Sequence, residues 1–467
     1  MIDLRVDEIA NAMSGRIVGS SDAADIVVGG TVQTDSREVG PGSLFFALPG
    51  EVSDGHLFAS AAVEAGAVLL VVERELDIAV PQIVVANGLL ALSALAREVV
   101  ARVRAQGELR VVAVTGSNGK TTTKNMLRAI LADQGETVAP LGSFNNEVGA
   151  PISMLGVTST TKFLIVEMGA DAIGDISKLV SIATPDVGIV LTVGLAHIGK
   201  FGSADAIELA KSEMVSGLPS TSFAVLNADD GRVGRMASLT DAQVVWFGLD
   251  DSAEVRAVDV DTTVTGTSFT LVADGVPRRI ELNILGEHHV TNALAAMTTA
   301  RALGVPVDEA IRSLESLTRA ERWRMELLES PEGVVIINDA YNASPDSMAA
   351  ALKTLAQLSS GQRRSFAVLG EMAELGNYAN EEHDRIGRLA VRLNVKQLIV
   401  VGHNARHIHN AAGLEGSWDG ESILVDTADE AYDVLRATVR RGDVVLVKSS
   451  NSAGLRFLGD RLAGITA

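Results

Sequence analysis

The chain has 467 residues, of which 59 are acidic and 39 basic, giving a formal net charge of -20. This length predicts two to four domains, and 47% hydrophobic with 21% charged residues is typical of a folded protein. The acidic balance argues against general nucleic-acid binding, although a local cationic cleft could still hold an anionic substrate. The sequence has no cysteine, which excludes disulfides, thiolate metal sites and a cysteine nucleophile and fits the cytosol.

The sequence also lacks the features of a targeting or membrane segment. Charges at Asp3, Arg5, Asp7 and Glu8 interrupt any apolar core of a signal peptide. The longest nearly apolar run, 187–198, is shorter than the roughly 20 residues of a membrane helix. We therefore expect a cytoplasmic protein without a membrane span.

The first segment, 1–107, contains two strand-like runs at 43–48 and 67–73. A helical stretch follows and ends at Gly107, a typical helix stop. Because a new buried strand begins almost at once, we predict a domain boundary near Glu108.

The second segment, 108–325, alternates buried strands with helices, which predicts right-handed βαβ units and a mostly parallel sheet. Its predicted strands are 110–115, 162–167, 187–193, 222–226 and 243–247. Three further runs, 254–261, 267–274 and 278–285, have the pattern of antiparallel strands added to that sheet.

The third segment, 326–467, restarts the alternation. Its predicted strands are 334–339, 364–370, 397–402, 422–426 and 443–449. This pattern indicates a second doubly wound domain of the Rossmann type. The predicted fold class is therefore α/β, with a small N-terminal domain, a central domain and a Rossmann-like C-terminal domain.

The strongest local motif is VVAVTGSNGKTTTKNML at 111–127, where a buried strand passes through a glycine-containing turn into a helix. Backbone N–H groups of such a turn bind phosphate, the lysine neutralises its charge, and the threonine hydroxyl can hold Mg²⁺. The spacing is shorter than the standard phosphate loop, because Val114 stands where the first glycine would be. The alternative is an ordinary turn that happens to precede a lysine. The candidate phosphate-binding residues are Gly116, Ser117, Asn118, Gly119, Lys120, Thr121 and Thr122.

Two residues at strand ends support a nucleotide and metal site. Glu167 ends one predicted strand, and His197 follows another. Ligands bind at the carboxyl ends of strands in open α/β sheets, and neutral imidazole can ligate a metal. A solvated glutamate and a structural histidine are the alternatives.

Lys211 lies within a predicted amphipathic helix, SADAIELAKSEMVSGL, in the middle of its apolar face. An unpaired ammonium is disfavoured in such a position. Either the side chain extends to the surface, or its charge is altered or engaged by function.

These motifs, in this order, resemble the Mur ligase family of ATP-dependent amide-forming enzymes. The resemblance also includes Asn292 in GEHHVTNALAA and Arg324 in ERWRMEL, and it covers essentially the whole chain. Three stretches resemble the branch that adds D-alanyl-D-alanine: GSFNNEVGAP at 142–151, DAYNASPDSM at 339–348 and GEMAELG at 370–376. The D-N-P-R motif of the diaminopimelate-adding branch is absent, and folylpolyglutamate synthases lack the DAYNASP stretch.

The resemblance implies a reaction in which ATP activates the carboxylate of a UDP-N-acetylmuramoyl tripeptide as an acyl phosphate, which the amine of D-alanyl-D-alanine then attacks. It implies catalytic roles for Lys120, Glu167, His197 and Lys211, with Mg²⁺ held by Thr121, Glu167, His197 and a carbamylated Lys211. It implies ATP contacts by Asn292, Arg324, Asp339 and Asn342, and substrate contacts by Asp35, Ser36, Arg37, Asn145 and Asn146. The expected domains are a UDP-substrate domain at 1–107, an ATP domain at 108–325 and a Rossmann-like domain at 326–467, in a monomer.

Three positions depart from the family pattern: Thr192 where asparagine is common, Glu371 where aspartate is usual, and Ser449 in place of the glycine of a K-G-S motif. Two other readings stay open. The chain could be a ligase of this family with another amino-acid acceptor, or a protein that uses ATP as a switch without ligation.

Overall fold

A computed structural model describes residues 1–50, 53–140, 142–319, 321–360, 363–416 and 418–465. Its strands form sheets of two, five, nine and six strands. The α/β fold class predicted from the alternating pattern is confirmed. No helix in the described ranges is both long enough and apolar enough to cross a bilayer.

The N-terminal part is built on the five-stranded sheet, in the order β2-β7-β6-β5-β4, with β1 and β3 paired separately. Its strands are β1 Leu4–Arg5, β2 Arg16–Val18, β3 Val27–Val28, β4 Val32–Gln33, β5 Ser43–Phe46, β6 Ala67–Val72 and β7 Gln82–Val84. Its helices are α1 Val6–Ala12, α2 Ala59–Glu64 and α3 Gly88–Gln106. The Asn87 side chain caps α3 by accepting from the backbone N–H of Leu90, and the helix ends before Gly107 as predicted.

The central part carries the nine-stranded sheet, in the order β16-β15-β14-β13-β12-β11-β8-β10-β9. Its strands are β8 Arg110–Thr115, β9 Thr137–Val138, β10 Phe163–Glu167, β11 Val187–Val190, β12 Phe223–Asn227, β13 Gln243–Gly248, β14 Val255–Thr263, β15 Gly266–Ala273 and β16 Val276–Leu282. Its helices are α4 Lys120–Ala132, α5 Gly149–Met154, α6 Asp175–Ile182, α7 Ile198–Phe201, α8 Ala204–Ser216, α9 Gly231–Arg235, α10 His288–Ala302 and α11 Val307–Glu315.

The C-terminal part carries the six-stranded sheet, in the order β17-β18-β22-β19-β20-β21. Its strands are β17 Glu326–Glu329, β18 Val335–Asn338, β19 Ser365–Leu369, β20 Gln397–Val401, β21 Glu421–Val425 and β22 Val444–Lys448. Its helices are α12 Pro345–Leu358, α13 Ala379–Arg392, α14 Arg406–Leu414, α15 Ala428–Thr438 and α16 Arg456–Leu462. All pairs in this sheet are parallel except β17 with β18.

Buried clusters connect the three parts. One cluster joins Val99 and Val103 of α3 to the central strands and to Met214 of α8. Another joins Ile207 of the central part to Leu369 of the C-terminal part. Burial of apolar surface therefore holds the parts together as well as each sheet.

One strand prediction was wrong in detail. The strand predicted at 187–193 ends at Val190. The N–H of Leu191 still donates to the carbonyl of Thr115 in β8 at 3.0 Å, but the next two residues bond to loops instead of a neighbouring strand. Thr192 accepts from the backbone N–H of Ser117 at 2.9 Å, and the N–H of Val193 donates to Asp230 at 2.8 Å. The three added strands β14, β15 and β16 pair antiparallel with one another as predicted, and β14 joins the rest of the sheet through a parallel pair with β13. The short strands β9 and β17 were not predicted.

Candidate active site

The phosphate-loop motif follows β8, an interior strand of the nine-stranded sheet. β8 has β11 on one side and β10 on the other, with Thr115 beside Val190 and Val114 beside Glu167. The chain therefore leaves β8 where its two neighbours also end, which is the position at which α/β sheets bind ligands. The turn after β8 lies between the side chain of Glu167 and the loop that follows β11.

Gly119 caps α4 and has a left-handed backbone, with φ of 85°. A Cβ there would lie 2.3 Å from Oδ1 of Asn292, so both the conformation and the close contact require glycine. Lys120 begins the helix and donates from Nζ to the carbonyl of Gly116 at 2.8 Å. Desolvation lowers the pKa of Lys120, while the carboxylate of Glu167 acts in the opposite direction.

Glu167 is buried at the end of β10 and connects the phosphate loop to two other segments. Its Oε2 accepts from the hydroxyl of Thr121 at 3.0 Å, and its Oε1 accepts from Nδ2 of Asn145 at 2.9 Å. The Ser143 hydroxyl lies 2.9 Å from that of Thr121 and accepts from Nη2 of Arg324 at 3.0 Å. These bonds bring together residues that are far apart in sequence.

His197 has a left-handed backbone, with φ of 62°, and its Nδ1 is hydrogen-bonded to Glu374. Asp171 lies 3.8 Å from the same nitrogen. Burial, followed by the charge of Lys120, lowers the pKa of His197. The ring is therefore kept neutral between two carboxylates, although sequence reasoning identified neither of them.

Lys211 does not extend to the surface, since only 3% of the residue is exposed. Within the described residues, no hydrogen bond or ion pair holds its ammonium group. Burial, followed by repulsion from Lys120, lowers its pKa to about 7. Both causes favour the neutral amine, and Lys211 faces the same cleft as the phosphate loop.

A second buried lysine, Lys124, was not predicted. Its Nζ donates to the carbonyls of Pro140 at 2.6 Å and Gly142 at 2.7 Å, which lie just before Ser143. Burial lowers its pKa to about 8. Its position four residues after Lys120, on the same face of α4, was the available signal.

The C-terminal part contributes an ion pair whose lysine is buried. Lys448 is 1% exposed, and its Nζ donates to Oδ2 of Asp339 at 2.6 Å and to the carbonyl of Asn342 at 3.0 Å. Ser344 caps α12 and donates to Oδ1 of Asn118 in the phosphate loop at 3.0 Å. The segment after β18 therefore contacts the phosphate loop directly.

These elements surround one cleft of about 990 Å³, large enough for several joined ligand groups. The predicted residues that line it are Ser117, Asn118, Gly119, Lys120, Thr121, Thr122, Asn145, Asn146, Glu167, His197, Lys211, Asn292, Arg324, Asp339 and Asn342. In the described chain three of the lining residues have a buried polar atom without a hydrogen-bond partner: Thr192 Oγ1, His289 Nε2 and Arg324 Nε. Such atoms suggest contacts that a ligand would complete.

Four predicted residues do not line this cleft in the described structure: Asp35, Ser36, Arg37 and Gly116. Gly116 takes part through its carbonyl, as the acceptor for Lys120. Asp35 and Arg37 form an ion pair on an exposed turn of the N-terminal part, where the Arg37 side chain is 86% exposed.

Mg²⁺ prefers oxygen ligands. Thr121 and Glu167 supply two oxygen donors that are already in contact. Among the described residues, no cluster of three or more histidine, aspartate and glutamate side chains is ready to hold a metal. The oxygens present fit a magnesium ion that is also coordinated by substrate phosphate, rather than one held by protein ligands only.

Comparisons with known proteins give one consistent match. Family models match at 30–109 (Mur ligase family, catalytic domain), 114–300 (Mur ligase middle domain) and 323–451 (Mur ligase, glutamate ligase domain). The chain is 43% identical to the UDP-N-acetylmuramoyl-tripeptide–D-alanyl-D-alanine ligase of Mycobacterium tuberculosis H37Rv, covering 99% of this chain and 98% of that protein. It is 34% identical to the ligase of the same name from Escherichia coli K12, covering 97% of each.

Solved structures agree with these matches. A crystal structure of MurF from Acinetobacter baumannii superposes with a TM-score of 0.88 at 28% identity, over 99% of both chains. MurF from Thermotoga maritima in complex with ADP gives a TM-score of 0.80 at 29% identity, over 93% of this chain and 96% of that one.

Proposed function

The chain belongs to the Mur ligase family, and from that premise we propose that it joins D-alanyl-D-alanine to a UDP-N-acetylmuramoyl tripeptide at the expense of ATP. The observation that carries the proposal is the single cleft in which the phosphate loop, Glu167 and the Asp339–Lys448 pair face one another. The product would be a pentapeptide precursor of peptidoglycan, with ADP and phosphate released.

In the first step, an oxygen of the tripeptide carboxylate attacks the γ-phosphorus of ATP, the bond to the β-phosphate oxygen breaks, and ADP leaves. Charge on the transferring phosphoryl group is what the site must stabilise. Lys120 at the start of α4 and the backbone N–H groups of the turn support this role.

In the second step, the amine nitrogen of D-alanyl-D-alanine attacks the acyl carbon, phosphate leaves and the nitrogen loses a proton. The resulting amide contains atoms of both substrates and no atom of the protein. This route needs no covalent nucleophile, in agreement with the absence of cysteine from the sequence.

We place Mg²⁺ beside the phosphate loop, with Thr121 and Glu167 as ligands and His197 as a further candidate. When bound, the ion would neutralise phosphate charge and polarise the phosphoryl group. The Thr121–Glu167 hydrogen bond of 3.0 Å supports a common position for these two groups.

We further propose that Lys211 becomes carbamylated. Its neutral amine adds to the carbon of CO₂ and loses a proton, so a buried cation is replaced by an anion that magnesium can bind. The pKa of about 7 supports this step, since a large fraction of the amine is unprotonated near neutral pH. With ¹³C-labelled bicarbonate, NMR should detect a carbamate signal that Lys211→Met removes. Persistence of the signal in that variant would contradict the assignment.

Roles for the three parts belong to the same proposal. Residues 1–107 bind the UDP end of the substrate, with Asp35, Ser36 and Arg37 at the uridine nucleotide. Residues 108–325 bind ATP, with Asn292 near adenine and with Asn145 and Asn146 near the tripeptide. Residues 326–467 bring Asp339 and Asn342 to the nucleotide, together with Arg324 at the junction. We propose a cytoplasmic monomer, and light scattering of the purified protein tests its oligomeric state.

The decisive experiment measures phosphate release and product mass with the muramoyl tripeptide, ATP and Mg²⁺, with and without D-alanyl-D-alanine. We expect release to depend on the dipeptide and a product that contains it. Ligation of a different amino acid would indicate another ligase of the family. ATP hydrolysis that is independent of any acceptor would indicate an ATP switch.

A further inference from the structure

The C-terminal part contacts the central part directly beside His197. The backbone N–H of Gly199 in α7 donates to the carbonyl of Glu374, in the loop after β19, at 3.0 Å. Ile198 of α7 and Leu375 of that loop are buried in one apolar cluster. A Cβ on Gly199 would lie only 2.6 Å from the carbonyl oxygen of Glu374. The two backbones therefore approach this closely because residue 199 has no side chain.

This contact brings the carboxylate of Glu374 onto the ring of His197. Its Oε2 is hydrogen-bonded to Nδ1 of His197, and its Oε1 lies 3.0 Å from Nζ of Lys200. Lys200 also donates to Oδ2 of Asp171 at 2.8 Å. The ammonium group of Lys200 thus holds the second oxygen of Glu374 and favours the ionised carboxylate.

The position of Glu374 determines which ring nitrogen of His197 carries the proton. An ionised carboxylate can only accept a hydrogen bond, so Nδ1 donates. The other carboxylate near this nitrogen, Asp171 at 3.8 Å, favours the same tautomer. Among the described residues, none makes a hydrogen bond to Nε2. In the described structure His197 lines the cleft and Glu374 does not, so Nε2 is the nitrogen left for a ligand in the cleft.

The tautomer decides what His197 can bind. In water a neutral imidazole side chain carries its proton mainly on Nε2, and that form would present an N–H donor to the cleft. With the proton held on Nδ1, Nε2 presents a lone pair instead, which a metal ion can accept. Histidines that ligate metals commonly have their second nitrogen fixed by a carboxylate in this way.

We propose that Glu374 is a positioning residue, which fixes the Nδ1–H tautomer of His197 and so makes Nε2 available to Mg²⁺. The inference rests on the magnesium site of the proposed function. Because Glu374 belongs to the C-terminal part and His197 to the central part, the metal-binding form of the histidine requires contact between the two parts at α7.

The tautomer can be measured in the metal-free protein without any substrate. In protein labelled with ¹⁵N-histidine, NMR distinguishes protonated from unprotonated ring nitrogens, and the signals of His197 are those that His197→Asn removes. At pH 8 we expect a proton on Nδ1 and none on Nε2 of the unmodified protein. Glu374→Leu removes the acceptor and should move the proton to Nε2. Glu374→Gln keeps an oxygen that can accept from Nδ1 and should retain the original tautomer.

A second variant separates the contact at α7 from the loss of the carboxylate. Gly199→Ala places a methyl group against the backbone of Glu374 and should change the tautomer as Glu374→Leu does. Gly413→Ala is the matched control, since a Cβ there would meet nothing within 4 Å, and it should leave the His197 signals unchanged. Circular dichroism and the unfolding midpoint establish that each variant is folded.

A proton on Nε2 in the unmodified protein, or an unchanged tautomer in Glu374→Leu or Gly199→Ala, would overturn the proposal. Titration with Mg²⁺ alone should shift the Nε2 signal, with an affinity about tenfold lower in Glu374→Leu. Equal affinities in the two proteins would also overturn it. A Nε2 signal that Mg²⁺ leaves unmoved would contradict the proposed magnesium site, and the tautomer measurement distinguishes that failure from a failure of Glu374 to position the ring.

Discussion

Replacement of Lys211 by methionine should stabilise the protein at low pH and abolish ligation. Methionine keeps the length and apolar character of the lysine stem, so the packing around Ile207 and Met214 is retained. What it removes is the cost of an ammonium group in a position that is 3% exposed.

The size and sign of this effect follow from the pKa. Lowering it from 10.5 to about 7 penalises the charged form by up to about 5 kcal/mol, at 1.36 kcal/mol for each pH unit. Below pH 7 the lysine is protonated in both states and the folded protein bears the full cost. Between pH 7 and 10.5 the unfolded chain binds more protons than the folded one, so stability rises with pH. The advantage of Lys211→Met should therefore be largest near pH 6 and shrink by about 2.7 kcal/mol from pH 6 to pH 9.

Urea unfolding in CO₂-free buffers at pH 6, 7, 8 and 9 measures this difference. Lys353 on α12 is exposed, so Lys353→Met provides a matched control that should show no comparable pH dependence. Added bicarbonate should stabilise the unmodified protein and leave Lys211→Met unchanged, because a carbamate forms only on the lysine. A stability difference between Lys211→Met and the unmodified protein that does not vary with pH would refute the assignment of a buried, easily deprotonated amine.

Three further outcomes are expected. Lys120→Ala should lower the rate of ligation by at least about a hundredfold, because it removes a charge from the phosphate site. The circular dichroism spectrum and the unfolding midpoint should stay near those of the unmodified protein. Near-normal turnover would contradict the phosphate-loop assignment. Lys448→Met should destabilise the protein by up to about 3 kcal/mol in urea unfolding, because Asp339, whose side chain is 13% exposed, keeps a largely desolvated charge without its partner. A second change, Asp339→Asn, should recover part of the loss, and additive losses would contradict the pairing. Lys211→Arg should be nearly inactive although it keeps a positive charge. Lys211→Ala should regain part of the ligation rate when a short carboxylic acid is added. Full activity of the arginine variant would contradict the proposed carbamate.

Much of the fold was accessible from the sequence because its strands are buried on both faces. β8, β10, β19 and β20 appear as short apolar runs, which are typical of strands in a parallel sheet covered on both faces. Two-residue strands such as β9 are too short to give a pattern of their own. The end of β11 at Val190 depends on loop partners of Thr192 and Val193 that lie far away in sequence, so a nearly apolar run through Val193 was misleading.

The candidate site likewise contains residues that local sequence could predict and residues that only the tertiary structure brings together. Residues of the phosphate loop were predictable because their spacing reflects local chemistry of a turn and a helix start. Lys124 and Lys448 were missed as buried groups because lysine usually remains exposed, and their acceptors are backbone carbonyls and a carboxylate supplied by the tertiary structure. His289 had no signal beyond its closeness to Asn292, since the missing partner of Nε2 is a property of the folded cleft.

The loop after β11 connects these elements and explains how nucleotide and C-terminal part can influence each other. The carbonyl of Thr192 accepts from Ser117 of the phosphate loop, and the N–H of Leu195 donates to Asp346 of the C-terminal part at 3.2 Å. Any displacement of Asp346 must therefore move or break bonds within a few residues of the phosphate-binding turn. Through these contacts, phosphate binding can favour one position of the C-terminal part over others. The size of the shift equals the difference in phosphate affinity between those positions. Ser117 of the phosphate loop and Asp346 of the C-terminal part thus bond to one shared segment.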